Sequence, residues 1–234
     1  MCRHAAWLGA PRALATLLEG DGLIRQSYAP RLQRFGTVNA DGFGAGWYVP
    51  PRPEPVRYRR AVPIWTDANL PGLAAVSRSR CLVAAVRSAA EGVAAEESAT
   101  APFACGRWLL SHNGHVTPSA VRSLARGRDP ESGSDSAWLA AAVFARLSAG
   151  RPVAEAVAEV VTLAGRHDPA ARLNLIVADG DLVAATAWGD TLFLHLAEGA
   201  LIASEPLDDR PGWDAVPDRH MVVTTPDGVV TSPL

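Results

Sequence analysis

The 234-residue chain reads as an α+β protein in which helix layers pack outside antiparallel sheets. Three observations predict this. Short apolar segments bounded by turn residues outnumber helical stretches. Two of the links between such segments are Asp-Gly pairs, the favoured corner of an antiparallel hairpin. The two clearest helical patterns sit together mid-chain, with strands before and after.

Taken in order, the first strand is Gly44–Val49, preceded by Asn39-Ala40-Asp41-Gly42-Phe43-Gly44-Ala45-Gly46-Trp47. Its glycines suit close approach to another backbone, since no G-x-G-x-x-G sits between a strand and a helix and no Walker sequence occurs. Pro50–Pro55 is a stiff surface loop and Asn69–Ser79 a helix. Strand Cys81–Val86 ends at Arg87. Strand Trp108–His112 ends where His112-Asn113-Gly114 is expected to turn, Asn-Gly being the commonest pair for positive φ. Thr117-Pro118 starts a short helix, and Arg126–Gly133 is a loop. Ser134–Leu147 opens with capping residues and sets Trp138, Leu139, Val143 and Leu147 at helical spacing. Pro152–His167 starts with proline and repeats Val153, Val157, Val160, Val161 and Ala164 on one stripe. Leu173–Ala178, Asp179-Gly180 and Leu182–Trp188 form a hairpin. Leu192–Leu196 and His220–Thr224 follow, the latter turning at Asp227-Gly228 into Val229-Val230. No repeat, low-complexity segment or interdomain linker appears, so a single domain over 2–234 is expected.

Composition narrows the function. With 48% hydrophobic residues the chain can bury a sizeable core, and its net charge of −2 without any basic block argues against nucleic acid or a membrane surface as partner. All 22 basic residues are arginine, which excludes lysine Schiff-base chemistry. Cys2, Cys81 and Cys105 give no CxxC and no pairing framework, which suits reducing cytosol. No leader or membrane-spanning run is read, so a cytoplasmic protein is expected.

Cys2 follows the initiator methionine. Removal of Met1 would give one residue both a thiol and a free amine, with ordinary pKa values of about 8.5 and about 7.7–8.0. That pair is the equipment of an N-terminal nucleophile, whose amine takes the thiol's proton. The Asn113 side-chain amide and the Gly114 N–H can converge as an oxyanion hole, although a bare turn would explain them too. Arg87 at a strand end is either a surface residue or a fork for an α-carboxylate. Asp135 at a helix start is either a cap or the partner of a substrate ammonium. Cys2 and His4 lack a second ligand pair at zinc spacing, so no metal and no cofactor are expected.

These pieces occur in the order found in the class II glutamine amidotransferases, which are N-terminal-nucleophile hydrolases. Within that family MCRHAAWLG, QSYAPR, NADGFGAGWY, AAVRSA, LLSHNG, DPAARLNLIVADG, TAWGDTL, ASEPLDD and VPDRH resemble the stand-alone amidohydrolases of ergothioneine biosynthesis over nearly the whole chain. The resemblance implies a four-layer αββα sandwich with Cys2 at the mouth of two sheets. It implies attack by Cys2 on a γ-glutamyl carbonyl, Asn113 and Gly114 holding the oxyanion, Arg87 the α-carboxylate and Asp135 the α-amine. The implied substrate is γ-glutamyl-hercynylcysteine S-oxide, with glutamate released and no obligatory synthase partner. Many glutamine amidotransferases carry Thr-His-Gly shortly after the arginine. Here the chain reads Arg87-Ser88-Ala89-Ala90-Glu91-Gly92, so Ser88 is expected to supply part of the lost hydrogen bonding, and His112 is a further candidate at the pocket. The trimethylammonium of the leaving group suits aromatic faces and carboxylates, for which Trp47, Trp65 and Glu205 are the candidates. A glutaminase subunit of a two-protein amidotransferase, a hydrolase of another γ-glutamyl compound and a non-catalytic binding protein remain the alternatives.

Overall fold

In the computed structural model, residues 2–32, 34–36, 38–89 and 95–234 are described. Met1 and Ala90-Glu91-Gly92 therefore lie outside the described residues. Strands run at β1 (Arg3–Ala13), β2 (Phe43–Trp47), β3 (Val56–Arg60), β4 (Arg78–Val86), β5 (Phe103–Cys105), β6 (Trp108–His115), β7 (Arg172–Ala178), β8 (Val183–Ala187), β9 (Phe193–Leu196), β10 (Gly199–Ala203), β11 (Trp213–Ala215), β12 (His220–Thr225) and β13 (Gly228–Pro233). Helices are α1 (Ala15–Leu18), α2 (Leu23–Gln26), α3 (Leu70–Val76), α4 (Pro118–Arg122), α5 (Asp135–Ser148) and α6 (Val153–His167).

Both expected hairpins form. Gly180 takes φ +102° at the β7–β8 corner, where Asp179 Oδ1 accepts from the amides of Asp181 and Leu182 at 3.1 and 2.9 Å. Gly228 takes φ +150° between β12 and β13, a conformation that a β-carbon would strain. Helix α5 begins as predicted, with the Ser134 hydroxyl accepting from the Ala137 amide at 3.2 Å.

The strands make two antiparallel sheets, ordered β11-β9-β10-β1-β4-β2-β3 and β13-β12-β8-β7-β6-β5. Three apolar clusters show how they stack. Trp7, Phe43, Leu82 and Leu201 meet Leu17, Leu23 and Leu70 of α1, α2 and α3 on the outer face of the first sheet. Ala6, Leu8 and Val83 meet Leu109, Ile176 and Ala185 between the sheets. Leu110, Leu175 and Val177 meet Val143, Val157 and Val161 of α5 and α6 on the outer face of the second. Three cores separate four layers, the αββα sandwich. Each sheet is covered on both faces, so its strands read as apolar runs rather than alternating ones.

That covering explains why the sequence pattern does not mark β1. This strand lies between β10 and β4 at the centre of its sheet, and its first six residues are all buried, so no alternation distinguishes it. Helices α1 and α2 have four residues each, too few to show a period. The helix expected at Asn69–Ser79 stops at Val76, and β4 begins at Arg78 because Arg78 and Ser79 pair with Ala13 and Arg12 of β1. Among the described residues no helix is long and apolar enough to cross a membrane.

Candidate active site

Cys2 immediately precedes β1, whose first residue, Arg3, pairs with Val86 at the end of β4. Antiparallel register therefore carries Cys2 to the level of Arg87 and Ser88, and Cys2 Sγ lies 4.0 Å from the Ser88 carbonyl oxygen. The two sheets and α5 part here into a cleft of about 190 Å³. The first sheet contributes Cys2, Arg87 and Ser88; β6 contributes His112, Gly114 and His115; the start of α5 contributes Ser134, Asp135 and Ser136; β7 contributes Arg172.

Each of these side chains is held. Arg87 is buried, its amide donates to the Gly42 carbonyl at 2.8 Å, and its Nη1 donates to the Asp41 carbonyl at 3.3 Å. The Asp41 carboxylate in turn accepts from the Ala89 amide at 2.8 Å, which ties the glycine-rich loop to the end of β4. Ser134 is the cap of α5, so Asp135 is released from capping and lines the cleft. The Asp135 carboxylate accepts from the amides of Val116 at 3.1 Å and Ser136 at 2.8 Å, and lies 3.6 Å from His115 Nδ1. His112 bridges Ser136 Oγ and the Arg172 carbonyl, both at 2.9 Å, and its burial lowers its pKa. Burial likewise pushes the Cys2 thiol above its ordinary value; the Asp135 carboxylate adds to this and the Arg87 guanidinium opposes it. A thiol held neutral needs a base delivered to it.

Between the sheets the core changes character as it approaches Cys2. Leu109 sits in the apolar cluster, but Ser111 and Asn113, on the same face of β6, are polar and fully buried. Ser111 Oγ lies 3.1 Å from His4 Nδ1, and Asn113 Nδ2 donates to Ser204 Oγ at 3.2 Å. Ser204 Oγ also accepts from the His4 amide at 3.0 Å. Burial drives the His4 pKa down to about 3, so the ring stays neutral in this ladder. Beside it, Arg3 and Asp190 form a fully buried ion pair at 3.6 Å, Nη1 to Oδ2.

The structure thus gathers Cys2, Arg87, Ser88, His112, Gly114 and Asp135 on one cleft, with Asn113 in the inter-sheet ladder next to Gly114 rather than on the cleft wall. One expectation needs correction, and three candidate side chains fall outside the cleft lining. His112-Asn113-Gly114 is no turn: β6 continues to His115, with Gly114 paired to Leu173. The glycine is required because a β-carbon there would lie 1.9 Å from the Arg172 carbonyl oxygen. Trp47 is 7% exposed in the core beneath the helices, since Phe43, Ala45 and Trp47 share the outer face of β2, while Gly46 faces Leu109. Trp65 is 44% exposed, packs edge-to-face on Tyr28 and is not among the residues that line the cleft. The Glu205 carboxylate is fully buried and is taken up by the backbone amides of Arg31 and Leu32, the latter at 2.6 Å. Two cleft residues, His115 and Arg172, carry no signal in the sequence. Both are placed by the β6–β7 pairing, a contact between distant segments that no local pattern marks. Among the described residues no three His, Cys, Asp or Glu side chains gather as a metal site.

No family model matches the chain. It is 47% identical over 239 residues to the gamma-glutamyl-hercynylcysteine sulfoxide hydrolase of Mycolicibacterium smegmatis, covering 100% of both chains. It is 46% identical over 237 residues to the protein of the same name from Mycobacterium tuberculosis, covering 100% of this chain and 97% of that one. Among solved structures, a glutamine aminotransferase class-II domain protein from Silicibacter pomeroyi superposes with a TM-score of 0.69 at 24% identity, over 99% of both chains.

Proposed function

The chain belongs to the gamma-glutamyl-hercynylcysteine sulfoxide hydrolases, on the N-terminal-nucleophile fold of class II glutamine amidotransferases, and from that membership we propose how its cleft cleaves a γ-glutamyl amide. The substrate is γ-glutamyl-hercynylcysteine sulfoxide, and the products are glutamate and hercynylcysteine sulfoxide. Removal of Met1 frees the Cys2 amine. The amine takes the Sγ proton, supplying the base that the half-buried thiol needs. Arg87 grips the glutamyl α-carboxylate through two parallel hydrogen bonds and Asp135 accepts from its α-ammonium, which aims the γ-carbonyl at Sγ. Ser88 and His112 complete the walls of that pocket.

Sulfur adds to the γ-carbonyl carbon. The resulting oxyanion is held by the Gly114 N–H and by an Asn113 Nδ2 hydrogen, Ser204 taking only one of the two that Nδ2 carries. The C–N bond then breaks, and the leaving nitrogen takes the proton from the Cys2 ammonium. Water attacks the thioester and gives a proton to the same amine. The C–S bond breaks, glutamate departs, and the thiol recovers its proton. The chain acts as a stand-alone cytoplasmic hydrolase with no synthase partner.

The observation that carries this reading is that Cys2, Arg87 and Asp135 line one cleft, a nucleophile beside a cation and a carboxylate of the kind an α-amino acid head group requires. The test is intact mass together with glutamate release from γ-glutamyl-hercynylcysteine sulfoxide, glutathione and glutamine. Loss of one methionine, with fastest release from the first and none in Cys2→Ala, is the expected result. Retained Met1 with turnover would sink the N-terminal mechanism, and a preference for glutamine would sink the substrate.

A further inference from the structure

The α-ammonium of a glutamyl head group has several hydrogens to place, and Asp135 already serves other donors. Its Oδ2 accepts from the Val116 amide at 3.1 Å and stands 3.6 Å from His115 Nδ1, and its Oδ1 accepts from the Ser136 amide at 2.8 Å. Between Asp135 and His112, both on the cleft wall, lies Ser136 Oγ, 3.4 Å from Asp135 Oδ1 and 2.9 Å from His112 Nδ1. Capping of α5 falls to Ser134, so the Ser136 hydroxyl is not spent there. What its oxygen can do depends on where its one proton lies.

The His112 ring decides this. Its Nε2 stands 2.9 Å from the Arg172 carbonyl oxygen, which can only accept, so Nε2 carries the ring hydrogen. Burial lowers the His112 pKa, so the ring is neutral and Nδ1 is a bare acceptor. Two lone pairs cannot face each other at 2.9 Å, and Ser136 therefore donates to Nδ1. Its proton is then turned away from Asp135. The 3.4 Å contact sets two acceptors side by side with no hydrogen between them, a mutually repulsive pair that a cation donating to both would relieve.

We propose that Ser136 Oγ is a specificity-determining contact that accepts, together with Asp135 Oδ1, from the substrate α-ammonium, and that His112 is the positioning residue that holds the hydroxyl in this sense. The inference rests on the proposed γ-glutamyl amidohydrolase activity and adds a second acceptor to its head-group site.

The experiment compares γ-glutamyl-hercynylcysteine sulfoxide with its deamino analogue, in which a glutaryl group replaces the γ-glutamyl group, scoring kcat/KM by release of the leaving amine with the full chain as enzyme. The preference of wild type for the amino substrate should fall roughly 10–100-fold in Ser136→Ala, the span of a hydrogen bond to a charged group. It should be largely kept in Ser136→Thr, which retains the hydroxyl. His112→Phe takes away the bare nitrogen and frees the hydroxyl to turn onto Asp135, so the preference should fall there too. The same change made in Ser136→Ala should lower it no further, because the two residues act through one contact. A Ser136→Ala enzyme with the wild-type preference overturns the proposal, as does a His112→Phe effect of equal size with and without the Ser136 hydroxyl. No turnover of the sulfoxide by wild type would instead defeat the underlying activity, so the two failures are distinguishable.

Discussion

Asn113→Ala separates chemistry from architecture, because the residue belongs to both the inter-sheet ladder and the proposed oxyanion hole. On the structural side the loss is one buried hydrogen bond, Asn113 Nδ2 to Ser204 Oγ at 3.2 Å. Ser204 Oγ is not orphaned by the change, since the His4 amide at 3.0 Å and the His4 carbonyl at 3.3 Å remain. The stability cost is therefore about 1–2 kcal/mol, which lowers Tm by roughly 2–8 °C in a chain of this size. On the chemical side, one oxyanion donor is worth about 10²–10³ in kcat, or about 2.7–4 kcal/mol. The donor acts on the transition state, so KM should hardly move. Steady-state glutamate release gives kcat and KM, and thermal melting gives the stability term. Ser204→Ala serves as the control: it breaks the same bridge from the other side and should lower Tm while kcat stays within a few-fold of wild type. An Asn113→Ala protein with near wild-type kcat and a lowered Tm would refute the oxyanion role and leave only the bridge between sheets.

Two further outcomes follow from buried charge. His4 is held neutral at a pKa of about 3 against about 6.5 unfolded, so the unfolded state binds the extra proton and stability falls as pH drops from about 6.5 towards 3. The slope contributed approaches about 1.4 kcal/mol per pH unit, measurable as the difference between wild type and His4→Gln in urea unfolding across that range; parallel curves would remove His4 as the cause. Asp190→Asn removes the ion-pair partner of the fully buried Arg3 guanidinium, leaving the buried Glu205 carboxylate as an opposite charge that still acts on it, and should cost about 3 kcal/mol. Replacing both partners by Arg3→Met and Asp190→Leu should recover most of that loss in the same denaturant titration, and a double variant no better than the single one would show that the pair does more than cancel its own charge.

How much of this the sequence discloses depends on whether the cause is local. The start of α5 at Ser134 is settled within four residues and is readable, as are both Asp-Gly hairpins, whereas the sequence leaves Asp135 open between cap and substrate partner until the Ser134 hydroxyl is seen to be the cap. Asn113-Gly114 reads as a turn because its real constraint, the Arg172 carbonyl of a strand far away in sequence, leaves no local trace. β1 escapes because a central strand buried on both faces has no period to detect. Trp47 is different. The alternation of Phe43, Ala45 and Trp47 against Gly44 and Gly46 is present in the chain and puts the indole on the large-residue face, so parity outweighs aromatic chemistry as a guide to its place. His115 and Arg172 reach the cleft only through β6–β7 register, which no single segment encodes.

The nucleophile stands at the open end of a strand locked on both sides by β10 and β4. A rigid origin of this kind has a practical corollary for handling the protein. Any affinity tag or fusion partner spliced ahead of Cys2 is joined to a residue that lines the substrate cleft, and would block it like a tethered inhibitor until trimmed to the cysteine. A tag following Leu234, beside α6 and the outermost strand β13 of the other sheet, starts from a separate surface groove and leaves the cleft clear.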